Sequence, residues 1–150
     1  FDFKLNEVKN MLNHEIHFLL LKCFHYSHKL MTQKTSNIGL YPGQPKILEC
    51  LYEKDGQTPK EIGQTCVLDK STMTSLIQKM ETQQLIYRQN QLNDKRSVLI
   101  FLTELGKEKA IEVKRICYEV DQIAYQSLNQ KEVNQILNQV LDNLREEYDE

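Results

Sequence analysis

The stretch from Asp69 to Thr103 constrains the fold more than any other part of the chain. Its first residue, Asp69, is suited to accept hydrogen bonds from the free amides of a helix start. The apolar side chains that follow recur at the spacing of one buried helical stripe, namely Met73, Leu76, Ile77 and Met80. The opposite face carries short hydroxyls, an amide and one cation, where an ordinary solvated face more often carries Glu and Lys pairs. The stretch therefore predicts a helix with one buried face and one small polar face.

Two extended segments come directly after this helix, Ile86 to Gln89 and Val98 to Leu102. The largely polar residues between them, 90–97, are too many for a two-residue hairpin turn, and they include Lys95 and Arg96. A polar-faced helix joined to a hairpin with a cationic tip is the pattern of a winged helix-turn-helix.

The residues before Asp69 fit the first helix of such a motif. Thr58, Pro59 and Glu61 combine a hydroxyl cap, a proline at the first helical position and the acid of a capping box. Gly63 lies where the two helices must approach closely, and Cys66 is expected in the core.

Long apolar helices are predicted on both sides of this centre. The first covers residues 7–31, and Pro42 is expected in the first turn of the next one. After the wing, Thr103 is expected to cap a helix that reaches about Leu128, with Gly106 tolerated at a cost of roughly 1 kcal/mol.

The apolar residues of that helix, through Ile123 and Ala124, are expected to stay on one face. A last helix from about Lys131 has an apolar seam broad enough for more than one neighbour. The fold class is therefore mostly α with a small antiparallel β-wing. We expect one chain-long unit, 1–150, with a DNA-binding lobe at 41–102 and dimerisation helices at 7–31 and 104–148.

The apolar faces of the terminal helices need another surface to pack against, because the central lobe has a core of its own. Self-association about a two-fold axis is the commonest solution. The alternative is a monomeric bundle in which these helices fold back onto the lobe.

The spacing of Arg88, Asp94-Lys95-Arg96 and Leu102-Thr103-Glu104-Leu105-Gly106 resembles the wing signature of the MarR family of transcriptional regulators. The likeness extends back to Leu40-Tyr-Pro-Gly-Gln44 and covers nearly the whole chain. One departure is Gln84, which stands where the family usually has glycine and which adopts positive φ less readily.

The resemblance implies a homodimer that binds a pseudo-palindromic duplex and usually represses transcription. It also implies regulation by a small aromatic or amphipathic effector, bound between the dimer helices and the lobe. Two recognition helices related by a two-fold axis would enter successive major grooves, about 34 to 36 Å apart. The alternatives are a winged helix that recognises a partner protein, and a redox- or metal-sensing regulator.

The predicted DNA-contacting residues lie on the helix and on the wing. The helix contributes hydroxyls and an amide that can read base edges and cations that can meet phosphates. The wing contributes cations for the backbone or a narrow minor groove, with Asp94 shaping the loop; Arg88 could equally be ordinary strand surface. The full set is Lys70, Ser71, Thr72, Thr74, Ser75, Gln78, Lys79, Arg88, Asp94, Lys95 and Arg96.

Composition limits the other possibilities. The net charge of −2 excludes a general coat for polyanions, yet the span from Lys60 to Arg96 has six cations against four acids. No apolar run is long enough to suggest a membrane span, and nothing at the N-terminus resembles a secretion signal. We find no catalytic or cofactor-binding motif, so neither an enzyme nor a cofactor is expected.

Cysteine and histidine give little support for sensing. The four cysteines are widely spaced, which favours a reducing cytoplasm. The peroxide-sensing branch of the family has its reactive cysteine at a slot that falls near Ile16 here, and Cys23 is expected to be a small buried side chain. Two pairs of histidines on the first helix, His14 with His17 and His25 with His28, lack further metal ligands.

Overall fold

The computed structural model describes residues 11–92 and 94–148, except for the side chains of residues 94–96. These residues form six α-helices and one antiparallel hairpin, which confirms the predicted fold class. The elements in order are α1 (Ile16–Ser36), α2 (Gln44–Glu53), α3 (Pro59–Cys66), α4 (Lys70–Thr82), β1 (Ile86–Gln91), β2 (Asp94–Leu102), α5 (Glu104–Tyr125) and α6 (Gln130–Tyr148). None of the helices described is both long enough and apolar enough to cross a bilayer.

Helix α1 is shifted relative to the predicted range of 7–31. It begins at Ile16 because Glu15 is extended, with φ −91° and ψ 127°, and separates it from a short 3-10 turn at Met11–His14. It continues to Ser36, since no glycine or proline interrupts the chain there. The part of the prediction at residues 7–10 lies outside the described residues.

Helix α2 begins later than predicted, and Pro42 is not in its first turn. Pro42 lies in the preceding turn, and Pro45 takes the first-turn position instead. Gly43 precedes the helix with a φ of +91°, and a Cβ there would lie 2.8 Å from a methyl carbon of Leu76. Glycine therefore allows the start of α2 to approach α4 closely.

One hydrophobic core joins α2, α3, α4, the hairpin and α5. Its largest fully buried apolar side chains come from each of these elements, namely Ile47, Leu48, Leu51, Ile62, Met80, Ile100 and Val113. The helix-turn-helix is close-packed at Gly63, where a Cβ would lie 3.1 Å from the carbonyl oxygen of Leu68 and 3.2 Å from Met73. The capping box at Thr58 and Glu61 forms with both hydrogen bonds in place, at 3.2 and 3.0 Å.

The wing strands are longer than predicted. Pairing continues from Ile86 opposite Leu102 out to Gln91 opposite Asp94, so the expected eight-residue tip is wrong. The register shifts between Asn90 and Gln91, so β2 contains extra residues there. Because of this irregularity, the alternation of apolar and polar residues does not by itself reveal that the two strands stay paired beyond Asn90.

The start of α5 is fixed to the base of the wing. The Thr103 hydroxyl accepts the Gly106 N–H at 2.9 Å, and the Thr103 N–H donates to the Leu85 carbonyl at 3.0 Å. A Cβ on Gly106 would lie 2.0 Å from that same carbonyl oxygen. Gly106 is therefore required by close packing, and the expectation that it is merely tolerated is wrong.

The last part of the described chain, residues 121–148, is largely exposed. Helix α5 ends at Tyr125, and its buried face within the single chain stops at Val120, which leaves Ile123 and Ala124 exposed. Helix α6 has no buried residue, although a 2.5 Å hydrogen bond from the Tyr125 hydroxyl to Asn134 connects it to α5.

Candidate nucleic-acid interface

Asp69 organises the start of α4. One oxygen of its carboxylate accepts the Thr72 N–H and the Ser71 hydroxyl, and the other accepts the Thr72 hydroxyl, each at 2.8 Å. These bonds, the one from the Thr72 N–H foremost, lower the pKa of Asp69 to about 2. The carboxylate is thus ionised at neutral pH, and its contribution to the cap is lost only as the pH falls below about 3.9 towards 2.

Several of the predicted base-reading hydroxyls are therefore already donating within the helix. Those of Ser71 and Thr72 donate to Asp69, and that of Thr74 donates to the Lys70 carbonyl at 2.9 Å. Each hydroxyl oxygen can still accept a hydrogen bond. The hydroxyls in the first turns of α4 are consequently held in place by hydrogen bonds within the helix.

The middle of α4 presents a second group of exposed polar side chains, Ser75, Gln78 and Lys79. Together with three residues that were not predicted, they line an open cleft of about 590 Å³. The added residues are Tyr41, Thr82 and Gln83, of which Tyr41 comes from the turn before α2 and is 61% exposed. The cleft thus combines hydroxyl, amide and ammonium groups along one side of the helix.

Arg88 is held at the base of the wing. Its Nε donates to a carboxylate oxygen of Glu81, a residue near the end of α4, and both side chains are partly exposed. The pair joins the wing to α4, and Arg88 points at an acid on its own chain.

The predicted cations at the wing tip cannot be placed. Asp94, Lys95 and Arg96 belong to β2 by backbone, but their side chains lie outside the described residues. Their roles remain predictions from the resemblance.

The turn between α4 and β1 adopts the geometry for which glycine would be expected. Gln84 has a φ of +58°, and its N–H donates to the Glu81 carbonyl at 2.9 Å while the Leu85 N–H donates to Met80 at 2.9 Å. The glutamine is thus accommodated in a left-handed conformation that costs a non-glycine residue roughly 1–2 kcal/mol.

Sequence reasoning missed Tyr41, Gln83 and Glu81 for different reasons. Tyr41 lies far from α4 in the sequence, and only the close approach at Gly43 brings the two together. Glu81 had a usable signal, because a residue near the end of a helix can meet the first strand of a following hairpin. No signal in the sequence pointed to the side-chain amide of Gln83, since its hydrogen-bond partner, Gln44, lies in α2.

Exposed apolar side chains cover both terminal helices. On α6 they form a stripe that includes Ile136, Leu137, Leu141 and Leu144, and on α1 they include Ile16, Leu19, Leu21, Phe24 and Leu30. Contiguous apolar surface of this extent is typical of an interface rather than of a solvated face.

The cysteines and histidines form no metal-ligand cluster in the part of the chain that is described. No three histidine, cysteine or acidic side chains converge there as a metal would require. Cys23 is exposed, so its expected burial is wrong, because α1 packs on α5 along one face only and leaves the rest of its surface uncovered. Cys50, Cys66 and Cys117 are buried, and burial raises the pKa of both Cys66 and Cys117 to about 12.

We expect no more than one thiol per native chain to react rapidly with a thiol-specific reagent at pH 8, and that thiol to be Cys23. All three buried thiols are shielded from the reagent, and the raised pKa keeps Cys66 and Cys117 protonated, whereas only a thiolate is an effective nucleophile. Counting reacted thiols before and after denaturation measures this, and Cys23→Ser should remove the fast phase. Rapid modification of two or more thiols in the native protein would contradict the assigned burial.

Comparisons with known proteins agree with this geometry. The sequence model of the MarR family matches residues 40–98. The chain is 43% identical over 76 residues to an organic hydroperoxide resistance transcriptional regulator of Bacillus subtilis, which covers 49% of this chain and 51% of that protein. The chain thus aligns with about half the length of this relative.

Two solved structures share the fold over most of the chain. A MarR family transcriptional regulator from Listeria monocytogenes, complexed with 26mer DNA, superposes with a TM-score of 0.81 at 20% identity and covers 89% of this chain and 88% of its own. CouR from Rhodococcus jostii, bound to p-coumaroyl-CoA, gives 0.77 at 21% identity and covers 87% and 92%. Residues 40–98 of this chain thus match the MarR family of transcriptional regulators, and the described fold is shared with a solved structure of that family.

Proposed function

We propose that the protein is a homodimeric regulator of transcription that binds a pseudo-palindromic double-stranded DNA site. The observation that carries the proposal is the exposed polar surface of α4, where Ser75, Gln78 and Lys79 line one open cleft. Side chains of these types read base edges and meet phosphates in the major groove. The DNA-bound relative with the same fold supports this use of the surface.

Two-fold assembly follows from the terminal helices. Helix α6 carries an apolar stripe and buries nothing within its own chain. Pairing of two copies through α1, α5 and α6 would cover this surface and place two α4 helices about 34 to 36 Å apart, one turn of duplex.

Regulation would follow the usual arrangement of the family. We propose that the protein acts as a repressor and that a small aromatic or amphipathic effector binds between the dimer helices and the lobe. Such a ligand changes DNA affinity only if it prefers one separation of the two lobes over another. The structure of CouR with p-coumaroyl-CoA supports an amphipathic ligand in this family.

Salt dependence of duplex binding tests the proposal against its main alternative, a winged helix that recognises a partner protein. The upstream DNA of the protein's own gene is the natural first duplex. A dimer that contacts phosphates should lose affinity steeply, with a slope of about −0.9 per phosphate in a plot of log K against log salt. Absent or salt-independent binding would favour the protein-binding alternative.

Arg96→Ala is expected to weaken duplex binding about tenfold and to reduce the magnitude of the salt slope by about 1 per subunit, because it removes a charged contact to the backbone. The protein should remain folded, as the residue lies at the wing. Arg115→Ala, on the exposed surface of α5, makes the same chemical change elsewhere and should leave both quantities unchanged. Equal binding by the Arg96 variant and the native protein would remove Arg96 from the interface.

Glu81→Gln is expected to strengthen duplex binding by roughly threefold and to steepen the salt slope by about 1 per subunit. The substitution removes an acid beside the DNA-facing surface and releases Arg88 from its ion pair. An exposed pair of this kind contributes only about 0 to 1 kcal/mol to stability, so folding should be little affected. Glu108→Gln on α5 is the control for net charge, and an unchanged slope in the Glu81 variant would show that Arg88 does not reach a phosphate.

A further inference from the structure

A completely buried glutamine lies in the first turn of α2. Gln44 is 0% exposed, whereas glutamine is among the residues most often found at the surface. A side-chain amide in such a position needs defined hydrogen-bond partners, since a buried polar group without them is strongly unfavourable.

The partners fix the orientation of the amide. The Tyr41 N–H, which can only donate, lies 3.1 Å from Gln44 Oε1, and Gln44 Nε2 therefore faces Gln83. Gln44 Nε2 donates to Gln83 Oε1 at 2.6 Å. The direction of this bond is determined by a backbone amide, so the side chains of Gln44 and Gln83 have complementary rather than interchangeable roles.

The bond joins two parts of the molecule with different tasks. Gln83 caps the C-terminal end of α4, and its side chain borders the cleft that also contains Lys79. Gln44 belongs to α2, which packs against α5, and α5 carries the chain on to the exposed α6. Leu76 of α4 packs against Gly43 one residue away, so α2 holds α4 at two points.

We propose that Gln44 and Gln83 form an amide clasp that sets the orientation of α4 on the lobe and thereby the discrimination between DNA sequences. This inference rests on the proposed function. The clasp acts on sequence discrimination because hydrogen bonds to base edges require α4 in one orientation, whereas contacts to phosphates position the protein without reading sequence. Gln44 and Gln83 are positioning residues in this account, and neither needs to touch a base.

The turn after α4 explains why such a restraint is useful here. Gln84 takes a left-handed φ of +58°, a conformation that glycine adopts more readily, so the end of α4 is less favoured locally than with glycine. The hydrogen bond from the buried Gln44 to Gln83, the residue before Gln84, fixes the point at which α4 ends.

The first measurement needs no DNA. Gln83→Met removes the acceptor while keeping side-chain length, and Gln83 is only half-buried, so the variant should fold. Hydrogen exchange of the backbone amides of Gln83, Gln84 and Leu85, which close the end of α4, should become at least tenfold faster. Gln33→Met, at an exposed position on α1, is the matched control and should leave these rates unchanged.

The second measurement separates an effect on the orientation of α4 from an effect on the stability of the protein. A duplex enriched by the native protein from a random pool is compared with a shuffled duplex of the same composition. We expect Gln83→Met to lower the ratio of the two affinities at least tenfold, chiefly by weakening binding of the enriched duplex. Gln44→Met/Gln83→Met removes both side-chain amides and leaves only the Tyr41 N–H without its acceptor, so it should regain part of the thermal stability, because replacing both partners by apolar groups can be nearly neutral. Its affinity ratio should nevertheless stay low.

The outcomes are distinct. Recovery of the native ratio in the double variant, or a native ratio in a folded Gln83→Met, would overturn the clasp while leaving DNA binding in place. Unchanged exchange at the end of α4 would overturn it without reference to DNA. A native protein that enriches no duplex would instead contradict the proposed function, together with the role of the clasp in sequence discrimination.

Discussion

Gly106→Ala is expected to lower the free energy of unfolding by roughly 3 kcal/mol, at the upper end of what overpacking usually costs. The added Cβ would lie 2.0 Å from the Leu85 carbonyl oxygen, which cannot move freely because it also accepts the Thr103 N–H. For a chain of this size the midpoint of thermal unfolding should fall by about 6 to 12 °C.

The measurement is thermal unfolding at one fixed protein concentration, since self-association would make the midpoint depend on concentration. Glu108→Ala, on the exposed side of the same helix, is the control and should change stability by less than about 0.5 kcal/mol. A loss below about 1 kcal/mol for Gly106→Ala would mean that the wing base and α5 can separate at little cost.

The second large effect is expected in assembly. Leu137→Glu/Leu141→Glu places two carboxylates in the apolar stripe of α6 and should convert the proposed dimer to a monomer. Each leucine buried at an interface contributes roughly 1.5–3 kcal/mol, and burying an unpaired carboxylate adds a further cost. Because the stripe is exposed in the single chain, the lobe should keep its fold and its helical circular dichroism.

Sedimentation at micromolar concentration measures this change, and duplex binding provides the functional result. With one lobe per molecule, about half of the phosphate contacts are lost, so the salt slope should halve. Gln135→Glu/Gln139→Glu adds the same charge on the other side of α6 and should remain dimeric. A Leu137/Leu141 variant that still sediments as a dimer would place the interface elsewhere.

The sequence predicted the elements whose signals are local. The capping box at Thr58, the cap at Asp69 and the stripe from Met73 to Met80 each depend on residues a few positions apart, and the structure forms all three. Helix propensity, caps and periodicity act within one element, and they can therefore be read without knowledge of its neighbours.

The features that were missed depend on contacts between distant elements. The role of Gly106 depends on a carbonyl some twenty residues away, and that of Gln44 depends on a partner 39 residues along the chain. The exposure of Cys23 depends on which face of α1 finds a neighbour. Nothing within a single helix determines these relations.

The candidate site likewise has features that could be predicted from the sequence and features that could not. The composition of the α4 face could be read directly, but its hydrogen bonding could not. The structure assigns the hydroxyls of Ser71 and Thr72 to Asp69 and the guanidinium of Arg88 to Glu81, while Ser75, Gln78 and Lys79 remain exposed. The centre of α4 is consequently a better candidate for sequence recognition than its first turn.

Hydroxyl-radical footprinting of the duplex enriched by the native protein tests the central claim most directly. Two α4 helices carried by one dimer should protect two segments on the same face of the duplex, with centres about 10 to 10.5 base pairs apart. One protected segment, or two at a spacing that does not correspond to a whole number of helical turns, would contradict a two-fold dimer that reads successive major grooves.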